Sequence, residues 1–277
     1  MKLALSHCRI ASILSVLALL LAIALPAAGA YAAERDETLP GRPDITQRVL
    51  IVTPDKPVRA GALLFIGGNG DLKANKGNFL LRIRQRLADA GILLAYPDAP
   101  SDRAGGNNLS GNFRASQAHA RDAQAIVEYL KKQATPDGKE MPVFVIGTSR
   151  GSTSAANAAA RLGPDLVAGA VLTSTVTEKG AKGQISVYET ALKDIRVPTL
   201  VMWHQNDECK ETPPENAAEV VKALTGTPKI TAKSLSGGQP PRSGPCDGLA
   251  AHGYYGIEDQ ATAVILAWID EVLANRQ

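Results

Sequence analysis

The chain has 277 residues, of which 45% are hydrophobic, 4% aromatic and 21% charged, with a formal net charge of +3. That length and apolar fraction suit one sizeable folded domain and exclude a disordered or fibrous chain. Lys2 and Arg9 lie in an N-terminal segment without acids. Setting them aside leaves 28 basic against 27 acidic residues, so charge gives no case for nucleic-acid binding.

Residues 10–25 form an apolar run of sixteen, interrupted only by Ser12 and Ser15, and Pro26 ends it before a stretch of small residues. A short apolar core followed by an A-x-A box is the pattern of a secretory signal peptide. The run falls short of the roughly 20 residues that span a bilayer. Cleavage is expected after Ala30 or Ala32, which makes residues 1–32 a leader and 33–277 one exported domain, periplasmic or secreted. No small-residue box precedes Cys8, so a lipid-anchored cysteine is not expected, and no later segment is apolar enough to span a membrane. Cys209 and Cys246 are the two cysteines left after cleavage, and an even count in an exported chain points to a disulfide. Closing a loop of that size stabilises a chain by about 4 kcal/mol in the chain-entropy model.

Residues 46–53 read as a first strand, ended by Pro54 and Pro57. Residues 62–66 (ALLFI) are a short buried strand that stops at Gly67-Gly68-Asn69-Gly70. Apolar positions Leu80, Ile83 and Leu87 have helical spacing and predict a helix over 79–90. Residues 92–96 form another strand, stopped by Pro97, and a polar loop follows from Asp98 to Ser116. Helices are predicted over 118–132, 152–162 (stopped by Gly163-Pro164), 214–224 and 261–273. Further strands are predicted over 143–146, 167–172, 199–203 and, at an edge, 230–235. Strand–helix alternation of this kind implies an α/β class with a mostly parallel sheet and helices on both faces. No repeat or linker divides the domain.

Gly147-Thr148-Ser149-Arg150-Gly151 reads G-x-S-x-G where the 143–146 strand meets a helix. A sharp strand-to-helix turn lifts a serine hydroxyl above the sheet edge, and small flanking residues relieve the crowding. Three histidines follow the leader as candidate bases. His119 is read as a surface helix residue, and His204, close to Asp207, as a loop former. His252 precedes the last helix in a glycine-flanked loop. Asp207, in the turn after strand 199–203, is the candidate acid, with Glu208 its rival.

On the GTSRG elbow, the Asp207 turn and His252, in the order Ser–Asp–His, the sequence resembles α/β-hydrolases of the serine esterase type, dienelactone-hydrolase-like enzymes among them. The likeness covers about residues 46–274. It implies an eight-stranded, mostly parallel sheet, a nucleophile after the fifth strand, and an acyl-enzyme mechanism that needs no metal or organic cofactor. It further implies an oxyanion hole made by the backbone N–H of Arg150 and one from the FIGGNGD loop, Asn69 or else Gly68. Gly67 departs from the family, which often has a histidine there. A Cys209–Cys246 bridge then joins the loop of Asp207 to that of His252. Only about 25 residues separate the strands where large lids are inserted, so a minimal cap is expected, with at most the 98–116 loop over the site. Few aromatics argue against a channel for long acyl chains and favour a small or polar ester. Arg103 and Arg114, in that loop, are candidates to meet a substrate carboxylate, or else solvated surface residues. The alternatives are a peptidase of the same fold and a catalytically silent binding protein.

Overall fold

The computed structural model describes residues 32–276 except 106–107, 110, 134 and 181–183. The predicted leader lies outside the described residues up to residue 31. The strands are β1 (Ala33–Pro40), β2 (Thr46–Thr53), β3 (Ala60–Phe65), β4 (Ile92–Pro100), β5 (Val143–Thr148), β6 (Gly169–Thr173), β7 (Thr199–His204) and β8 (Ile230–Leu235). They form one sheet in the order β1-β2-β4-β3-β5-β6-β7-β8. The β1–β2 and β2–β4 pairs are antiparallel, and all other neighbours are parallel.

Continuous apolar runs are strands covered on both faces. In β3, Ala62 and Leu64 face one core with Phe144 and Ile146 of β5, while Leu63 and Phe65 face the other with Val143 and Val145. Helices α1 (Phe79–Arg82), α2 (Arg84–Asp89) and α6 (Glu258–Ala274) cover the first face through Leu80, Leu87, Ile265 and Trp268. Helices α3 (Gln117–Lys131), α4 (Arg150–Leu166) and α5 (Ala217–Ala223) cover the second. Four buried alanines of α4 (Ala155, Ala156, Ala158 and Ala159) let it lie close against the sheet.

The differences from expectation have local causes. β1 precedes the strand expected to be first; its sequence AERDETLP buries only Leu39, so an edge strand wet on both sides carries no apolar alternation. β4 runs through Pro97 to Pro100, because β3 pairs with it only as far as Ala95 and a register shift in β2 falls beside Pro97. A missing N–H costs nothing on such a free edge. The helix expected over 79–90 divides at Ile83 into α1 and α2. α4 kinks where it was expected to stop, at Gly163 (φ 65°), and makes one further turn. Between β6 and β7 the described residues hold only two short 3-10 turns, Val187–Glu189 and Leu192–Asp194, so no helical lid stands there. No helix among the described residues is long and apolar enough to cross a membrane.

Candidate active site

The parallel strands β5, β7 and β8 end on one side of the sheet, and the three candidate residues follow them there. Ser149 caps α4 with φ 54° and ψ −130°, a conformation that L-residues rarely adopt. Neighbouring backbone enforces it. A Cβ on Gly151 would stand 1.9 Å from Phe65 O, and one on Gly147 would stand 2.2 Å from Gly151 O. The Ser149 N–H is fixed by Thr173 O at 3.0 Å.

Asp207 is buried in the turn after β7. Its Oδ1 accepts the Cys209 N–H at 3.0 Å, and its Oδ2 lies 2.9 Å from both Thr212 Oγ1 and His252 Nδ1. Glu208, its rival in the sequence, is exposed. His252 lies in the 3-10 turn Ala251–Gly253, 4% exposed. Its carbonyl accepts the Ser174 hydroxyl at 2.8 Å. With Nδ1–H given to the carboxylate, Nε2 is left as an acceptor. Ser149 and His252 line one cavity of about 270 Å³. A larger hollow, about 860 Å³, lies at the opposite end of the sheet beside Pro57, Met141 and Leu273 and contains none of these groups.

Among the other sequence candidates, His204 accepts the Asn206 N–H on Nδ1 and meets Gly237 O through Nε2, so it shapes the turn before Asp207. His119 is not a surface residue: it is 1% exposed, between the rings of Phe65 and Phe113. Burial, with the charges of Arg114, Arg103 and Arg42, pushes its pKa down to about 3, so it stays neutral. Arg114 is fully buried and among the described residues meets no carboxylate; it donates to Ser154 Oγ, Ile66 O and Gly68 O. Burial and nearby Arg150 push its pKa down to about 9. Arg103 stacks over Phe113. Among the described residues the 98–116 loop contributes none to the cavity lining; it braces the glycine loop from behind, through Arg114 and through Leu109, whose N–H donates to Asn69 O.

The cavity walls are residues 74–79 and 243–249, and Cys246 stands on the rim, bonded to Cys209. Gly67 and Gly68 reach the cavity, whereas Asn69 is not among the residues that line it. A trans peptide points its N–H opposite to its C=O. Holding Gly68 O on Arg114 therefore turns the Asn69 N–H away from the buried guanidinium. The Arg150 N–H, first in α4, has no acceptor within its helix. The Arg150 side chain pairs with Glu211 through two hydrogen bonds of 3.1 and 2.8 Å, joining the elbow to the acid loop.

No family model and no curated protein sequence matches this chain, but solved structures do. An esterase from Pyrococcus furiosus is 12% identical with a TM-score of 0.63, over 87% of this chain and 92% of that one. A thermostable carboxyl esterase from Bacillus coagulans, solved with glycerol, is 13% identical with a TM-score of 0.58, over 87% and 99%. Est1E from Butyrivibrio proteoclasticus, solved with ferulic acid bound, is 13% identical with a TM-score of 0.58, over 86% and 99%. The chain has the α/β-hydrolase fold.

On this fold the sequence left several contributors unread. Thr212 Oγ1 lies 3.0 Å from His252 Nδ1 as well as beside Asp207. Arg82 donates to three carbonyls, Gly77 O, Gly248 O and Gly253 O, and to Glu258, so it joins both cavity walls to the histidine loop. A Cβ on Gly248 would stand 1.9 Å from Gly77 O, so the walls touch backbone to backbone there. The contacts of Thr212 with His252 and of Arg82 with Gly248, Gly253 and Glu258 have no sequence signal, since they join segments far apart in the chain. Thr212, three residues past Cys209 in the acid loop, lies nearest to a readable motif.

Proposed function

We propose that this chain is an exported serine hydrolase that cleaves a small or polar carboxylic ester. His252 Nε2 takes the proton of Ser149 Oγ as that oxygen attacks the acyl carbonyl. Asp207 holds the imidazole tautomer and stabilises the imidazolium. The backbone N–H groups of Arg150 and of the Gly68–Asn69 segment hold the oxyanion. His252 returns the proton to the leaving alcohol, and the same base then activates water to release the acid from the acyl-enzyme.

The observation that carries this reading is one arrangement: a strained Ser149 and a carboxylate-held His252 on the same cavity, with His252 Nδ1 at 2.9 Å from Asp207. The esterase names of the structural neighbours favour an ester as substrate. A cavity of about 270 Å³ with Asn75, Ser243 and Asp247 on its walls suits a small, polar acyl group. Export rests on the leader pattern, whose expected cleavage after Ala30 or Ala32 precedes β1, which begins at Ala33.

The test is a fluorophosphonate probe on the wild type and on Ser149→Ala, with p-nitrophenyl acetate and butyrate in parallel. Labelling and turnover are expected in the wild type and absent in the variant. Folded wild-type protein that takes no label would overturn the reading in favour of a binding protein on this scaffold.

A further inference from the structure

Asn78 stands at the start of α1, on the wall of the cavity that holds Ser149. Its Oδ1 accepts the Leu80 N–H at 3.1 Å. Only the oxygen of an amide accepts a hydrogen bond, so this cap fixes which way the group faces, and Nδ2 is its other arm. A Cβ built on Gly67 would lie 2.9 Å from Ser149 Cβ and 3.4 Å from Asn78 Nδ2. Gly67 thus opens onto the space between the amide and the serine, and the two atoms are no further apart than those distances together. Among the described residues Nδ2 has no hydrogen-bond partner, although Asn78 is half-buried.

We propose that Asn78 Nδ2 donates a hydrogen bond to the reacting acyl group, as a side-chain donor beside the backbone N–H groups. The proposal rests on the reading of Ser149 as nucleophile. Its chemistry is electrostatic: the neutral amide keeps both protons and stabilises the oxygen as negative charge develops. The anchored cap supplies preorganisation, because the donor is already oriented before substrate arrives. The place of Gly67 follows from the same geometry, since any side chain there would fill the gap between donor and nucleophile.

Helix capping and catalysis separate in three variants. Asn78→Asp and Asn78→Ser keep an acceptor for the Leu80 N–H but present no donor of that reach, while Asn78→Ala loses both. Loss of one oxyanion donor typically lowers kcat about 10²-fold. That loss is expected in Asn78→Asp and Asn78→Ser, with KM and melting temperature close to wild type. Affinity for a trifluoromethyl ketone, which forms a tetrahedral adduct on the serine, should fall by the same factor as kcat/KM. Wild-type kcat and ketone affinity in Asn78→Ser, with stability lost only in Asn78→Ala, would reduce Asn78 to a cap and overturn the proposal. Failure of the underlying reading looks different: Ser149→Ala would then retain turnover and the ketone would not bind the wild type at all.

Discussion

A single hydroxyl, that of Thr212, stands between the carboxylate of Asp207 and the imidazole of His252. It lies 2.9 Å from Asp207 Oδ2 and 3.0 Å from His252 Nδ1. Its one proton goes to the carboxylate, so towards the imidazole it offers only a lone pair, which is compatible with an Nδ1–H and not with the other tautomer. Valine in its place keeps the shape and removes both interactions. A hydrogen bond to a charged group contributes about 1.5 kcal/mol or more, roughly tenfold in rate. Thr212→Val should therefore lower kcat/KM roughly tenfold with little change in melting temperature, and steady-state kinetics beside thermal denaturation would check it. Unchanged kinetics would mean that the Cys209 N–H and the carboxylate suffice to hold His252. The sequence made Ser149 legible because the elbow has a local steric signature, two glycines about a serine where strand meets helix. Asp207 over Glu208 was legible only as adjacency. Burial separates the two, and burial depends on which carboxylate the turn directs inward.

The loop between β8 and α6, residues 236–257, carries both His252 and half of the disulfide. Ser174 and Arg82 hold its histidine end, and the bond from Cys246 to Cys209 holds its rim end. These anchors are independent, so they should fail separately. Reduction is expected to lower activity at a smaller reductant concentration than it unfolds the protein, because the Cys209 side of the bond also bears the N–H on Asp207. Activity and circular dichroism followed across one dithiothreitol titration would settle the order, and coincident midpoints would refute it. At this scale the sequence was legible wherever burial was continuous. The central strands β3, β5, β6 and β7 lie close to their expected limits. β1 was not legible, since nothing in AERDETLP distinguishes a solvated edge strand from a polar linker until β2 is there to pair with it.

For the whole molecule, the buried groups that do not titrate freely set how stability depends on pH. His119 has its pKa depressed by burial from 6.5 to about 3, so the unfolded chain binds a proton there that the native state refuses. Its contribution is fully present above pH 6.5 and is lost progressively as pH falls towards about 3. Replacing it by His119→Asn should flatten the acid side of the stability curve by about one proton per molecule, even if the variant is less stable at neutral pH. Urea midpoints at several pH values would measure this, and parallel curves would contradict it. The sequence placed His119 on the surface because one histidine at a helix start carries no sign of the two aromatic rings that enclose it. The clamp around Arg82 has a consequence for engineering. Where Gly77 and Gly248 meet backbone to backbone under the Arg82 guanidinium, the walls have no side chain of their own to trim. Substitutions at the wall positions Asn75, Ser243 and Asp247 would therefore tune the polarity of the cavity while the main-chain contact between its walls stays in place.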